Sequence, residues 1–204
     1  MIGTYPVLEI TERDLKQRNL RWRKFEGEIE KPTQLETYQK PEQQRRLRWL
    51  VNHCKGTGDI LEIGCSWGYV LNAVGGRCGV DISGKAIDVA MRTYPLKNWL
   101  VSDVTRGLPF ENGQYKVVLL TEILEHLKWE NVKPAVFEAL RITSGKVLIT
   151  LPLRPTADCA LCFKHRWLVD WKKISHVWSW VLPLGYGVTT EADPDFIYME
   201  IVKC

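Results

Sequence analysis

Between Asp59 and Asp81 the chain reads D-I-L-E-I-G-C-S-W-G-Y-V-L-N-A-V-G-G-R-C-G-V-D, an apolar strand, a glycine-bearing turn, a short helix and a second strand ending in a carboxylate. On an open parallel sheet, the turn after Glu62 and the tip at Asp81 converge on one carboxyl edge. Bare backbone at Gly64 then faces an acidic side chain across a gap suited to a nucleoside. A carboxylate at that tip can accept hydrogen bonds from both ribose hydroxyls, which justifies an acidic residue where an apolar one would serve the strand better.

The rest of the chain continues the alternation. Strands are expected at about 59–63, 77–81, 98–101, 115–120 and 145–151, separated by helical or turn-forming segments. Val117-Val118-Leu119-Leu120 is apolar in both side-chain phases, as a central parallel strand covered on both faces must be. Pro41 opens a helix that runs to about His53, with Leu47, Leu50 and Val51 as its core stripe and Gly56 and Gly58 beyond its end. Lys133 to Ile142 forms a second helix, leaving through Ser144-Gly145 into the fifth strand, and Trp167 to Val181 a third. In that third helix the seven-residue spacing of Trp171 and Trp178 favours core packing over base stacking. The tail pairs two strands, near 187–190 and 196–202, across Asp193-Pro194-Asp195. With 204 residues, one α/β domain spanning 41–204 is expected, preceded by a charged arm or cap over 1–40 and carrying a substrate-side insert near 151–168.

Composition removes several classes. The opening M-I-G-T-Y-P-V-L-E-I has no basic stretch leading into an apolar one, and no run approaches the ~20 residues of a membrane span, so a cytoplasmic protein is expected. A net charge of +4 permits a polyanionic partner without requiring one. The cysteines are scattered through turn and strand positions rather than spaced as a disulfide framework. Cys159 and Cys162, with His165 and His176 downstream, offer zinc-type donors, but sequence order does not bring them together and no metal is expected.

The glycine turn also separates cofactors. Read as G-x-G-x-x-G from Gly64, it has Ser66 and Tyr69 at the second and third glycines, which weighs against NAD or FAD. No P-loop pattern is present. What remains is E-x-G-x-x-x-G, from Glu62 through Gly64 to Gly68, with a helix expected to begin near Trp67.

Joined to V-S-D-V and E-I-L-E-H-L in that order, these residues resemble the class I S-adenosylmethionine-dependent methyltransferases, especially the small methyltransferase-11-like members, over about Pro41 to Lys203. The resemblance implies a Rossmann-like seven-stranded, mostly parallel sheet flanked by helices, with an antiparallel C-terminal strand. It implies that Glu62, Gly64, Cys65, Ser66 and Gly68 form the motif around the methionine and sugar of S-adenosyl-L-methionine. Asp81 would take the ribose diol and Ile82 would touch adenine; Asp103 would receive the adenine amino group and Val104 would flank the ring. Glycine is often found in the family where this chain has Ser66.

A sulfonium methyl is already activated, so transfer needs an aligned nucleophile and sometimes a base. Glu122 is the residue expected nearest the methyl and acceptor, and His126 and His165 are candidate bases. A short helix after Thr121 would put Glu122 and His126 on one face and turn Glu125 elsewhere, toward a nearby cation or a cap. The resemblance places the insert over the acceptor pocket, making Arg154, His165 and Arg166 substrate-contact candidates. A small metabolite, lipid or sugar hydroxyl or carboxylate is the first expectation for the acceptor, with RNA kept open by the basic arm. A noncatalytic cofactor-binding scaffold and an aminopropyltransferase are the other readings of the same fold.

Overall fold

The computed structural model describes residues 37–153, 165–166 and 169–203. The expected arm over 1–40 therefore lies almost wholly outside the described residues, as do Arg154, Cys159, Cys162 and Trp167. Helix α1 (Pro41–His53) leads into β1 (Ile60–Ile63), α2 (Tyr69–Ala73), β2 (Cys78–Asp81), α3 (Gly84–Thr93), β3 (Asn98–Val101) and β4 (Tyr115–Thr121). Helix α4 (Trp129–Ile142), β5 (Thr143–Pro152), α5 (Trp171–Val181), β6 (Tyr186–Ala192) and β7 (Phe196–Lys203) complete the order.

The strands form one seven-stranded sheet in the order β3-β2-β1-β4-β5-β7-β6. β1 runs parallel to β2 and β4, as do β2 to β3 and β4 to β5, whereas β7 is antiparallel to both of its neighbours. The expected architecture is present, including the antiparallel C-terminal strand. Chain direction reverses its march across the sheet between β1 and β4, and the crevice at such a switch point is where open α/β sheets bind ligands.

Period-two alternation divides the core. Leu61, Ile63, Val118, Leu120, Val147 and Ile149 face α4 and α5, which contribute Val132, Val136, Ile174 and Val177. Ile60, Val117, Leu119 and Leu148 face the opposite way, against Leu50 of α1 and Val70 of α2. Both phases of the central strands are thus buried, which explains why their sequence is uniformly apolar.

Several local expectations are corrected. In α1 the fully buried stripe is Arg46 and Leu50, while Leu47 is only half-buried. Helix α4 begins at Trp129, four residues before the expected start, and carries Pro134 in its interior, where the missing N–H forgoes one hydrogen bond. Ser144-Gly145 lies within β5 rather than in a helix exit, beside an irregularity in the β4–β5 register. A Cβ on Gly145 would stand 2.5 Å from the Lys116 carbonyl oxygen, so close backbone approach explains this glycine. Asp170 caps α5 by accepting from Lys173 N at 2.7 Å, and the core stripe of that helix is Ile174, Val177 and Val181. Trp171 is 47% exposed and does not share in it.

Two interactions tie the switch point together. The indole of Trp99 in β3 lies against both Gly68 and Gly79, and a Cβ on Gly79 would meet Trp99 Cζ3 at 2.5 Å and Cys65 Sγ at 2.8 Å. Glu62, only 2% exposed, accepts from Thr121 Oγ1 at 2.6 Å and so joins β1 to β4. Burial pushes its carboxyl from 4.5 up to about 7, against the opposing pull of the Thr121 hydroxyl and Arg46.

Gly79→Ala is expected to lower stability by roughly 1–3 kcal/mol through overpacking, read as a lower urea midpoint at unchanged slope. Between pH 4.5 and about 7 the folded protein keeps a Glu62 proton that the unfolded chain has released, so this group withdraws stability as pH rises through that window. Melting temperature should therefore fall less steeply from pH 5 to 7.5 in Glu62→Gln than in the unchanged protein, and parallel profiles would contradict the assignment.

Candidate active site

Gly64, at φ +78°, bends the chain away from β1, and a Cβ there would lie 2.5 Å from Ile123 Cδ1. Its N–H and that of Cys65 both donate to the Val80 carbonyl oxygen, at 2.7 and 3.0 Å, fastening the bend to β2. Ser66 follows at φ +47°, a left-handed conformation that glycine adopts more readily than a residue with a side chain. Its N–H donates to Asp81 Oδ2 at 2.8 Å, while Ser83 N donates to Oδ1 at 2.8 Å. Gly68, at φ +79°, then enters α2, which starts at Tyr69 instead of Trp67.

A cavity of ≈ 1130 Å³ opens along this edge. Gly64, Ser66, Asp81, Ile82, Asp103 and Val104 line one part of it. Each Asp81 oxygen accepts one backbone N–H and keeps further acceptor capacity, as a diol-binding carboxylate requires. Ile82 is 69% exposed, an apolar surface suited to the flat face of a base. Asp103 caps the turn Val104–Arg106, accepting from Thr105 Oγ1 at 2.7 Å and Thr105 N at 2.9 Å through one oxygen. The Thr105 hydroxyl, together with the backbone bond and Arg106, holds its carboxyl below the usual range against a modest opposing effect of burial.

Glu62, Cys65 and Gly68 stand behind this surface and are not among the residues lining the cavity. Glu62 is turned into the sheet toward Thr121, and burial pushes the Cys65 thiol far up. Gly68 serves Trp99 and the entry to α2.

Glu122, Ile123, His126, Leu127, His165 and Arg166 line the cavity elsewhere. No helix begins at Thr121: Glu122 adopts φ +53° and the chain then makes a 3₁₀ turn, Leu124–His126. Glu122 and His126 both reach the cavity, but through this turn rather than along one helical face. The Glu122 N–H donates to the Thr150 carbonyl at 3.1 Å, and its Oε1 accepts from Thr150 Oγ1 at 3.3 Å. Arg46 Nη1 stands 3.7 Å from the same oxygen. Burial raises the Glu122 carboxyl, with Arg46 and Thr150 opposing. For Arg46, burial is the largest single influence and works against the charge, and Glu122, Tyr38 and Glu62 together outweigh it.

Arg46 was not legible as a site residue from the helix that carries it. Its signal was its place one turn before Leu50 and two before Cys54, a cation on a buried stripe. Its guanidinium also lies over the Tyr38 ring at 5.7 Å and the Phe196 ring at 5.4 Å. Arg45, the next residue back, pairs with Asp193 at 3.3 Å and with Asp195, holding α1 to the β6–β7 turn.

His165 and Arg166 are brought to the 3₁₀ turn by a backbone bond from Arg166 N to the Glu125 carbonyl oxygen, 2.7 Å. The His126 and His165 rings meet edge-on with centroids 4.9 Å apart. His176 lies elsewhere, against Trp129 and Trp180.

Residues 60–145 match a family model described as a methyltransferase domain. No curated protein sequence is similar enough to count as a relative. Among solved structures, the fold is similar to magnesium protoporphyrin IX methyltransferase from Synechocystis PCC 6803 with bound SAM, at 14% identity over 91% of each chain and a TM-score of 0.62. It is also similar to N-methyltransferase NodS from Bradyrhizobium japonicum WM9 in complex with S-adenosyl-L-homocysteine, at 16% identity over 89% of this chain and 97% of that one, TM-score 0.65. A SAM-dependent methyltransferase from Archaeoglobus fulgidus gives 16% identity over 78% of this chain and 92% of that one, TM-score 0.63. The matched segment contains the bend at Gly64, the acidic tip at Asp81, Asp103 and the Glu122 turn; over residues 60–145 the chain is similar to a methyltransferase domain, and its fold is shared with SAM-dependent methyltransferases of known structure.

Proposed function

We propose that this enzyme transfers the methyl group of S-adenosyl-L-methionine directly to an oxygen, or another nucleophile, on a small metabolite, lipid or sugar. The observation that carries the reading is one continuous cavity with the Asp81 clamp and Asp103 on part of its wall and Glu122, His126 and His165 on another. In this reading Asp81 takes the ribose hydroxyls, Ile82 and Val104 sandwich the adenine, and Asp103 accepts from its amino group. Gly64 lets the methionyl portion approach bare backbone.

The acceptor atom attacks the methyl carbon opposite the sulfur, and the carbon–sulfur bond breaks as the new bond forms. Alignment is the main contribution of the protein, since the positive sulfur supplies the activation. Glu122 is placed beside the acceptor, and His126 or His165 is the group that can receive a proton near neutral pH. His165 and Arg166 bound the acceptor side. A small acceptor is favoured because it must share a cavity of ≈ 1130 Å³ with the cofactor. A cytoplasmic setting belongs to the same reading; among the described residues no helix is long and apolar enough to cross a membrane.

Calorimetric titration should show saturable binding of S-adenosylmethionine and S-adenosylhomocysteine and none of NAD. Asp81→Ala, which removes two charge-assisted acceptors, should weaken both by about 100-fold. Folded protein that binds neither sulfur ligand, or an Asp81→Ala variant that binds as the unchanged protein does, would overturn the reading.

A further inference from the structure

At the wall opposite the Asp81 clamp, a carboxylate is buried with little to balance it. Glu125 is fully inaccessible, and among the described residues neither of its oxygens has a hydrogen-bond partner. Its ionic neighbour is His165, with Nε2 at 3.9 Å from Oε1. A carboxylate taken out of water requires a cation or hydrogen-bond donors; Glu122 and Arg46 act on it through space, and the imidazoles of His126 and His165 hold nitrogen donors beside it. Donor atoms of Glu125, His126 and His165 all lie within 4.8 Å of one another, and both histidines line the cavity.

We infer that Glu125, His126 and His165 are three ligands of a divalent transition-metal site that opens into the acceptor end of the cavity. This goes beyond the sequence expectation, which included no metal. Two imidazole nitrogens and one carboxylate oxygen suit manganese, iron, cobalt or zinc, whereas calcium and magnesium favour all-oxygen surroundings. Bonds of about 2.1 Å bring such donors to within ~3–3.5 Å of one another, so the present spacing closes by a side-chain adjustment of about an ångström. The Arg166 N–H bond to the Glu125 carbonyl keeps His165 beside the turn while it does so. Glu122 is not among the three clustered donors; its Oε1 is engaged by Arg46 and Thr150, and its carboxylate adds negative charge nearby.

Three ligands leave positions open toward the cavity, where an acceptor hydroxyl can bind as a water otherwise would. Coordination lowers the pKa of that hydroxyl and its proton leaves to water, so with the ion bound its polarisation replaces His126 and His165 in the role of base. The metal-polarised oxygen then attacks the sulfonium methyl carbon, the carbon–sulfur bond breaks with its electron pair going to sulfur, and S-adenosylhomocysteine is released. The role of the ion rests on the methyl-transfer reading above, but ion binding itself does not.

The test uses the full chain, stripped with chelator and titrated with Mn²⁺ by electron paramagnetic resonance and with Co²⁺ by absorption, with and without S-adenosylhomocysteine. One ion per chain is expected, with affinity at least about tenfold weaker in Glu125→Gln and in His165→Ala. Glu125→Gln keeps the shape of the buried side chain, and S-adenosylhomocysteine affinity should stay within about threefold in both variants. Absence of stoichiometric binding of either ion, or equal affinity in the unchanged protein and both variants, overturns the site and leaves a Glu125–His165 ion pair. Ion binding that responds to the variants while S-adenosylhomocysteine fails to bind would instead leave the site standing and overturn the methyl-transfer reading.

Discussion

The Asp81 carboxylate joins the turns that follow two neighbouring strands. One oxygen takes the N–H of Ser66 in the bend after β1, and the other takes the N–H of Ser83 after β2. The bond from its N–H helps to hold Ser66 at φ +47°, a conformation that costs a side-chain-bearing residue of order 1 kcal/mol. The same carboxylate that is offered to a ligand therefore organises the backbone that receives it. A preformed cleft of this kind reduces what a cofactor must order on binding.

A second layer of polar groups lies beneath the acceptor wall. Arg46, Glu122 and Thr150 come from α1, the segment after β4, and β5, three elements far apart in sequence. Glu62 and Thr121 extend the layer toward β1. These groups occupy positions that apolar residues would fill at lower cost, and pairing is what makes their burial tolerable. Glu122 is held at positive φ by its backbone bond to Thr150 as well as by its side chain, so its carboxylate has a defined position before any acceptor arrives.

What the sequence reveals and what it conceals divide along physical lines. The sheet was legible because β1 and β4 are buried in both phases, and because Gly64, Gly68 and Asp81 fall at fixed distances around a strand–turn–helix–strand unit. The gap between Asp81 and Gly64 could be anticipated, since parallel strands bring their carboxyl ends together whatever their side chains. The direction of individual side chains within the first motif was not: Glu62 and Cys65 point into the sheet and the Trp99 packing, a matter of pleat and neighbour contacts. The turn at Glu122 was read as helical because spacing cannot announce a positive φ at a non-glycine residue. Arg46 was hidden for a related reason, since a lone cation in a charged helix looks solvated until its partners across the fold are known.

Helix α1 has a further meaning. The segment that matches the methyltransferase model spans residues 60–145, yet Arg46 precedes it, and Thr150 and His165 follow it. Arg45 and Arg46, adjacent in the chain, divide their contacts: one grips Asp193 and Asp195 in the hairpin that closes the sheet, the other lies over Phe196 of the same hairpin and reaches Glu122. The matched segment is thus smaller than the unit that supports it, and a fragment trimmed to its borders would keep the Asp81–Ser66 bond while losing Arg46 and Thr150, the partners that fix Glu122.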